Sequence, residues 1–115
     1  MVECIFCKIV KGDVPTEKIY EDSNFVAFAD ANPVAEGHTL VIPKKHFETI
    51  LDLDEEIAKG YLGFVKKVAE DLLKKYNSEG FNVVVNNGKS AGQVVNHVHF
   101  HIIPRKKGDG LKIVG

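Results

Sequence analysis

Three of the five histidines in this 115-residue chain fall within five positions, as His97-Val98-His99-Phe100-His101. Side chains alternate across an extended chain. A strand here therefore puts the three imidazoles on one face, about 7 Å from each to the next, with Val98, Phe100 and Ile102 on the other. The apolar face is a core face. The row of imidazoles admits two chemistries: His-x-His can bind a metal that activates water, or one neutral imidazole can attack an electrophile while its neighbours hold and protonate the substrate. The preceding loop, Asn86-Asn87-Gly88-Lys89-Ser90-Ala91-Gly92-Gln93, is rich in small residues and backbone donors, which suits a phosphate approaching a turn. The two cysteines, Cys4 and Cys7, form one Cys-x-x-Cys. That spacing fits a redox dithiol, half of a metal site, or a pair that only packs; a thioredoxin-like dithiol would follow a strand, and none is expected before Cys4.

The elements that must position these groups are legible as patterns. Residues 4–11 read as a short amphipathic helix ended by Gly12-Asp13, with Pro15 just beyond. Strands are expected at 19–21, at 25–29 after the turn Asp22-Ser23-Asn24, at 38–43, at 81–85 and at 97–103, the last stopped by Pro104. One long helix is expected over 54–76, with Ile57, Tyr61, Phe64, Val65, Val68, Leu72 and Tyr76 on one face. Asp52 and Asp54 are available to cap its start, Glu55 and Glu56 lie in its first turn, Lys74 and Lys75 in its last, and Gly80 supports its stop. Adjacent strands with a single long helix indicate an α+β, antiparallel architecture rather than repeated βαβ units.

Composition narrows the class of function. Fifteen basic and sixteen acidic residues leave a formal charge of −1, which argues against a nucleic-acid polymer or an anionic membrane as main partner. No apolar run approaches the roughly 20 residues of a membrane helix. The first residues lack the basic-then-apolar pattern of a signal peptide, and the cysteines are not spread as in a disulfide scaffold, so a cytoplasmic location is expected. No linker or repeat divides the chain, and a single domain over 1–115 is expected.

Taken together, the motifs resemble one family. His97-Val98-His99-Phe100-His101-Ile102-Ile103 is similar to the His-φ-His-φ-His-φ-φ signature of the histidine triad (HIT) family of nucleotide hydrolases and transferases. Cys4-Ile5-Phe6-Cys7-Lys8-Ile9 resembles the zinc-binding opening of many microbial members. Gly37 through His46 resembles the family's central strand and turn, and Asn86 through Gln93 its loop before the triad.

The resemblance implies a five-stranded antiparallel sheet with one long and one short helix, pairing into a ten-stranded sheet in a homodimer. It implies cleavage at the α-phosphate of a purine nucleotide through a covalent nucleotidyl-histidine, with a phosphoramidate or a (di)nucleoside polyphosphate as substrate. On that pattern His99 is the nucleophile, His101 the phosphate-binding neighbour, and Gln93 stands by the phosphate or leaving group. Asp30 corresponds to the carboxylate that takes the ribose hydroxyls, Asn86 to an amide near sugar and phosphate, and His38 to a further histidine beside the triad. Gly92 belongs to the phosphate loop. Val94 replaces the Ser or Thr of many members, so only its backbone N–H is available to the phosphate. The ligands the family offers a structural zinc are Cys4, Cys7, His46 and His97. The competing readings are a metal-dependent hydrolase whose strand histidines hold a catalytic zinc, and a nucleotide-binding or scaffold protein without significant turnover.

Overall fold

The computed structural model describes residues 4–113. The ends of the expected 1–115 domain, and the first three residues of the N-terminal reading, lie outside the described residues. The elements run α1 (Ile5–Lys11), β1 (Lys18–Glu21), β2 (Phe25–Ala29), β3 (Thr39–Pro43), α2 (Glu55–Tyr76), β4 (Gly80–Val85) and β5 (Phe100–Arg105), with 3-10 turns at Ile50–Asp52 and Lys89–Ala91. The five strands form one antiparallel sheet in the order β1-β2-β3-β5-β4.

The pleat sorts the side chains into two cores. Phe25, Ala27, Val41 and Ile102 face α2 and pack on Ile57, Tyr61, Phe64, Val65, Val68 and Leu72, the helix face expected from the 3.6-residue period. The buried Tyr61 hydroxyl donates to the Val41 carbonyl at 2.6 Å, which locks α2 to β3. Val26, Phe28, Leu40 and Ile42 point the other way and pack under Phe6 and Ile9 of α1. His101 is the register partner of Leu40 and so shares the α1 face.

Local chemistry accounts for the element ends, with three departures from the sequence reading. Asp54 caps α2 by accepting from the Ile57 N–H at 2.9 Å, but Asp52 instead closes a capping box with Thr49 on the preceding 3-10 turn. Asn77, not Gly80, ends α2: it takes the left-handed conformation at φ 51°, which Asn tolerates, and Gly80 opens β4. The last strand begins at Phe100 rather than His97 and runs through Pro104 to Arg105. Residues before Phe100 are pinned singly, the Val98 N–H donating to the Phe47 carbonyl at 2.8 Å. Pro104 is accommodated because β3 pairs with β5 only through Ile102, leaving that flank without a ladder bond to lose.

Candidate active site and metal centre

A cleft of about 770 Å³ opens on the α1 face. Ile5, Phe6 and Ile9 of α1, with Phe28 and Leu40 of the sheet, supply apolar lining, while Asp30, Asn86, His38, His99 and His101 supply polar groups. A cleft with this division suits a ligand that is flat and apolar at one end and anionic at the other. Gly92 and Val94 also line it. Gly92 holds φ at +92°, a conformation that a side chain would strain.

Hydrogen bonding fixes the proton positions. His99 Nδ1 lies 2.8 Å from the His97 carbonyl oxygen. A carbonyl only accepts, so His99 carries a proton on Nδ1, and in the neutral tautomer the lone pair is on Nε2. The Val34 N–H donates to His38 Nδ1 at 3.1 Å. His38 therefore carries its proton on Nε2, which lies 2.9 Å from His101 Nδ1. His101 accepts there and presents Nε2–H as a donor. One ring is thus set as a nucleophile and its neighbour as a donor. Burial pushes the His101 imidazole down to about 4, with His99 and His38 beside it acting in the same direction. Burial likewise lowers His38, against the opposing charge of Asp30. Both rings are held neutral, as this proton pattern requires.

Asp30 follows β2 and stays partly open to the cleft. Its Oδ1 accepts from the Asn32 N–H at 2.8 Å, and its Oδ2 lies 3.3 Å from His38 Nε2 and 3.8 Å from His101 Nδ1. Asp30, His38 and His101 are close enough to suggest a metal-binding trio. The Val34 N–H argues otherwise. It occupies the lone pair of His38 Nδ1, which leaves Nε2 protonated and without an electron pair for a cation.

Gln93 departs from expectation. Its amide is spent on the loop itself: Nε2 donates to the carbonyls of Glu48 at 2.6 Å and Val95 at 3.0 Å, and Oε1 accepts from the Gly88 N–H at 2.7 Å. A buried amide with both N–H donors and its oxygen engaged is a staple for residues 88–95. It is not among the residues lining the cleft.

His97 leaves the row. Its Nε2–H donates to the Pro43 carbonyl at 2.8 Å, which turns the Nδ1 lone pair toward the cysteines. That atom lies 3.3 Å from Cys4 Sγ, 3.6 Å from Cys7 Sγ and 3.2 Å from His46 Nδ1, and Cys7 Sγ lies 3.4 Å from His46 Nδ1. Zinc bonds of about 2.3 Å to sulfur and 2.0–2.1 Å to nitrogen in a tetrahedron require ligand–ligand edges of roughly 3.3–3.8 Å. The four atoms, two soft sulfurs and two imidazole nitrogens, fit such a centre. Burial pushes the His97 ring down to about 4, which keeps its lone pair available, while burial and Cys4 push the Cys7 thiol up.

The apolar wall is what the sequence reading missed. Residues 4–11 read from sequence only as a short amphipathic helix, yet Ile5, Phe6 and Ile9 line the cleft. The Phe6 ring also meets His99 edge-on, with centroids 5.1 Å apart. Ile5 stays 44% exposed, an apolar side chain left open on the cleft side of the helix.

Fold and site together define a class: a small α+β domain with two buried or half-buried imidazoles, His99 and His101, lining a half-apolar cleft, and a separate cluster of four side chains that could hold a metal ion. The HIT domain model matches residues 11–108, and the chain belongs to the HIT family. It is 52% identical over 107 residues to the HIT-like protein MJ0866 of Methanocaldococcus jannaschii, spanning 93% of this chain and 82% of that one. It is 48% identical over 104 residues to an adenosine 5'-monophosphoramidase of Schizosaccharomyces pombe, spanning 90% and 75%. The crystal structure of a zinc-bound histidine triad family protein from Mycobacterium smegmatis superposes with a TM-score of 0.90 at 40% identity, covering 96% of this chain and 80% of that one. Among the described residues, no helix is long and apolar enough to cross a membrane.

Proposed function

We propose that this protein hydrolyses purine nucleoside phosphoramidates or (di)nucleoside polyphosphates at the α-phosphate, through a covalent nucleotidyl intermediate on His99. The observation that carries the reading is the opposite proton placement on adjacent rings: His99 Nδ1–H is tied to the His97 carbonyl, and His38 sets His101 Nε2–H as a donor. His99 Nε2 attacks phosphorus, and the bond to the leaving group breaks with its electron pair on that group; a polyphosphate departs as the anion, and an amine takes up a proton from solvent as it departs. The ring becomes a phosphorylated imidazolium, whose positive charge is stabilised by the His97 carbonyl dipole. His101 Nε2–H holds a non-bridging phosphate oxygen. Water then attacks phosphorus, releasing the nucleoside monophosphate and restoring neutral His99; the water's proton leaves to solvent.

The remaining roles follow from placement. The apolar lining from Ile5, Phe6, Ile9 and Phe28 buries the base, Asp30 accepts from the ribose hydroxyls, and Asn86, Gly92 and the Val94 N–H attend the phosphate. Gln93 acts by holding that loop. Cys4, Cys7, His46 and His97 hold a structural zinc, which supplies a cross-link and no open coordination position. The zinc-bound M. smegmatis relative supports this choice of metal. β4 is an edge strand with Phe81 and Val83 partly exposed, the edge through which two copies would pair as a homodimer. Reduced cysteines at positions 4 and 7 suit the cytoplasm.

The deciding experiment incubates the protein with an adenosine phosphoramidate, a diadenosine polyphosphate and a nucleotide sugar, measuring released monophosphate and the mass of trapped protein. One nucleotidyl group on His99 supports the mechanism. Turnover that stops on chelation without loss of fold would indicate a catalytic metal. Tight nucleotide binding with no product from any substrate would indicate a binding protein.

A further inference from the structure

Helix α1 belongs to two sites at once. Cys4 caps it and Cys7 lies within it, and both sulfurs approach His97 Nδ1. Between and after them, Ile5, Phe6 and Ile9 line the cleft. Little in α1 itself favours a helix. It has seven residues, three of them β-branched (Ile5, Ile9 and Val10), and no acidic residue in its first turn. Its cap is a sulfur that accepts the Cys7 N–H at 3.4 Å, a weak substitute for an oxygen. Helices this short do not hold in water unaided. Its order comes from two anchors: the burial of Phe6 and Ile9 on the sheet, and the side chains of Cys4 and Cys7.

We propose that a metal held by Cys4, Cys7, His46 and His97 sets the affinity of the cleft for nucleotide, by keeping α1 docked as the cleft wall. The inference rests on the cleft being a nucleotide site. Both ligands need the docked helix, so each strengthens the other by the same factor. If the metal-free helix is docked about a tenth of the time, the apparent Kd for nucleotide rises about tenfold. The centre then tunes substrate binding while staying outside the chemical step.

The test measures AMP binding by calorimetry to the zinc-loaded and zinc-stripped chain, with hydrogen exchange followed in α1 and α2. Stripping zinc should raise the Kd for AMP about tenfold, speed exchange in residues 5–11, and leave α2 protected. AMP should in turn tighten zinc binding. An unchanged Kd in stripped protein whose α2 remains protected overturns the inference and leaves the nucleotide reading intact. Failure of the loaded protein to bind AMP overturns both. Should stripping unfold the chain, His46→Asn decides the matter, because it weakens the centre from an exposed turn outside the cleft. Its AMP affinity should rise with zinc occupancy during a zinc titration, and an affinity independent of occupancy overturns the inference.

Discussion

The Nδ1–H of His99 donates to the backbone carbonyl of His97 at 2.8 Å, so the residue whose ring faces the cysteines also fixes, through its main chain, which nitrogen of His99 is free. Two residues apart in sequence, the two rings face different clusters, and a single hydrogen bond ties the His99 ring to the His97 main chain.

Removing the nucleophile should separate binding from chemistry. His99→Ala is expected to lower kcat by roughly 10,000-fold or more, the scale seen when a covalent nucleophile is deleted, with AMP affinity largely kept. His99→Gly should regain some turnover with added imidazole. Steady-state kinetics and calorimetry on the same preparations check this, and near-normal turnover by His99→Ala would end the covalent mechanism.

Asp30 directly follows β2 with a carboxylate partly open to the cleft, and on the proposed reading it accepts from a ribose diol. A 2′-deoxy nucleotide should bind more weakly by about 1–3 kcal/mol, the cost of leaving an acceptor that the bound nucleotide covers without its partner. Competition binding with AMP and 2′-deoxy-AMP measures it. Equal affinities would assign Asp30 solely to His38 and His101.

A structural zinc held by Cys4, Cys7, His46 and His97, as proposed, predicts a stability defect larger than a chemical one. Elemental analysis should find about one zinc per chain, and Cys4→Ser or Cys7→Ser should lower both metal content and Tm. Their kcat at saturating substrate should fall far less than that of His99→Ala. Cysteine variants that keep their Tm and lose all turnover would make the metal catalytic.

Acid should destabilise the fold through His101. Its imidazole is neutral and depressed to about 4 in the folded protein, against an ordinary value of 6.5. The unfolded chain therefore binds the proton first. The contribution is fully present above about pH 6.5 and is lost as pH falls toward about 4, amounting to at most about 3 kcal/mol. His101→Asn supplies an acceptor for the His38 Nε2–H that does not titrate. Urea denaturation should show a shallower loss of stability between about pH 7 and about pH 4.5 in this variant than in the parent. Parallel curves would place the acid sensitivity elsewhere.

The elements are legible in local periodicities and the family in its resemblance to a known order of motifs, since both belong to short stretches of chain. The faces of α2 and of β2 and β3 follow from spacings of 3.6 and 2, and the alternation at 97–102 separates imidazoles from core. The candidate residues His38, His99, His101, Asp30, Asn86, Gly92 and Val94 come from motif order, and all seven line one cleft. What tertiary structure decided was the partner of each polar group. The proton on His101 depends on a Val34 amide and a His38 ring from the connection between β2 and β3. The Gln93 amide is taken up by Glu48, Val95 and Gly88. The apolar wall depends on α1 crossing the sheet face opposite α2. A hydrogen bond between residues 38 and 101 has no local signature, because direction and tautomer are set only when the packed backbone brings donor and acceptor within 3 Å.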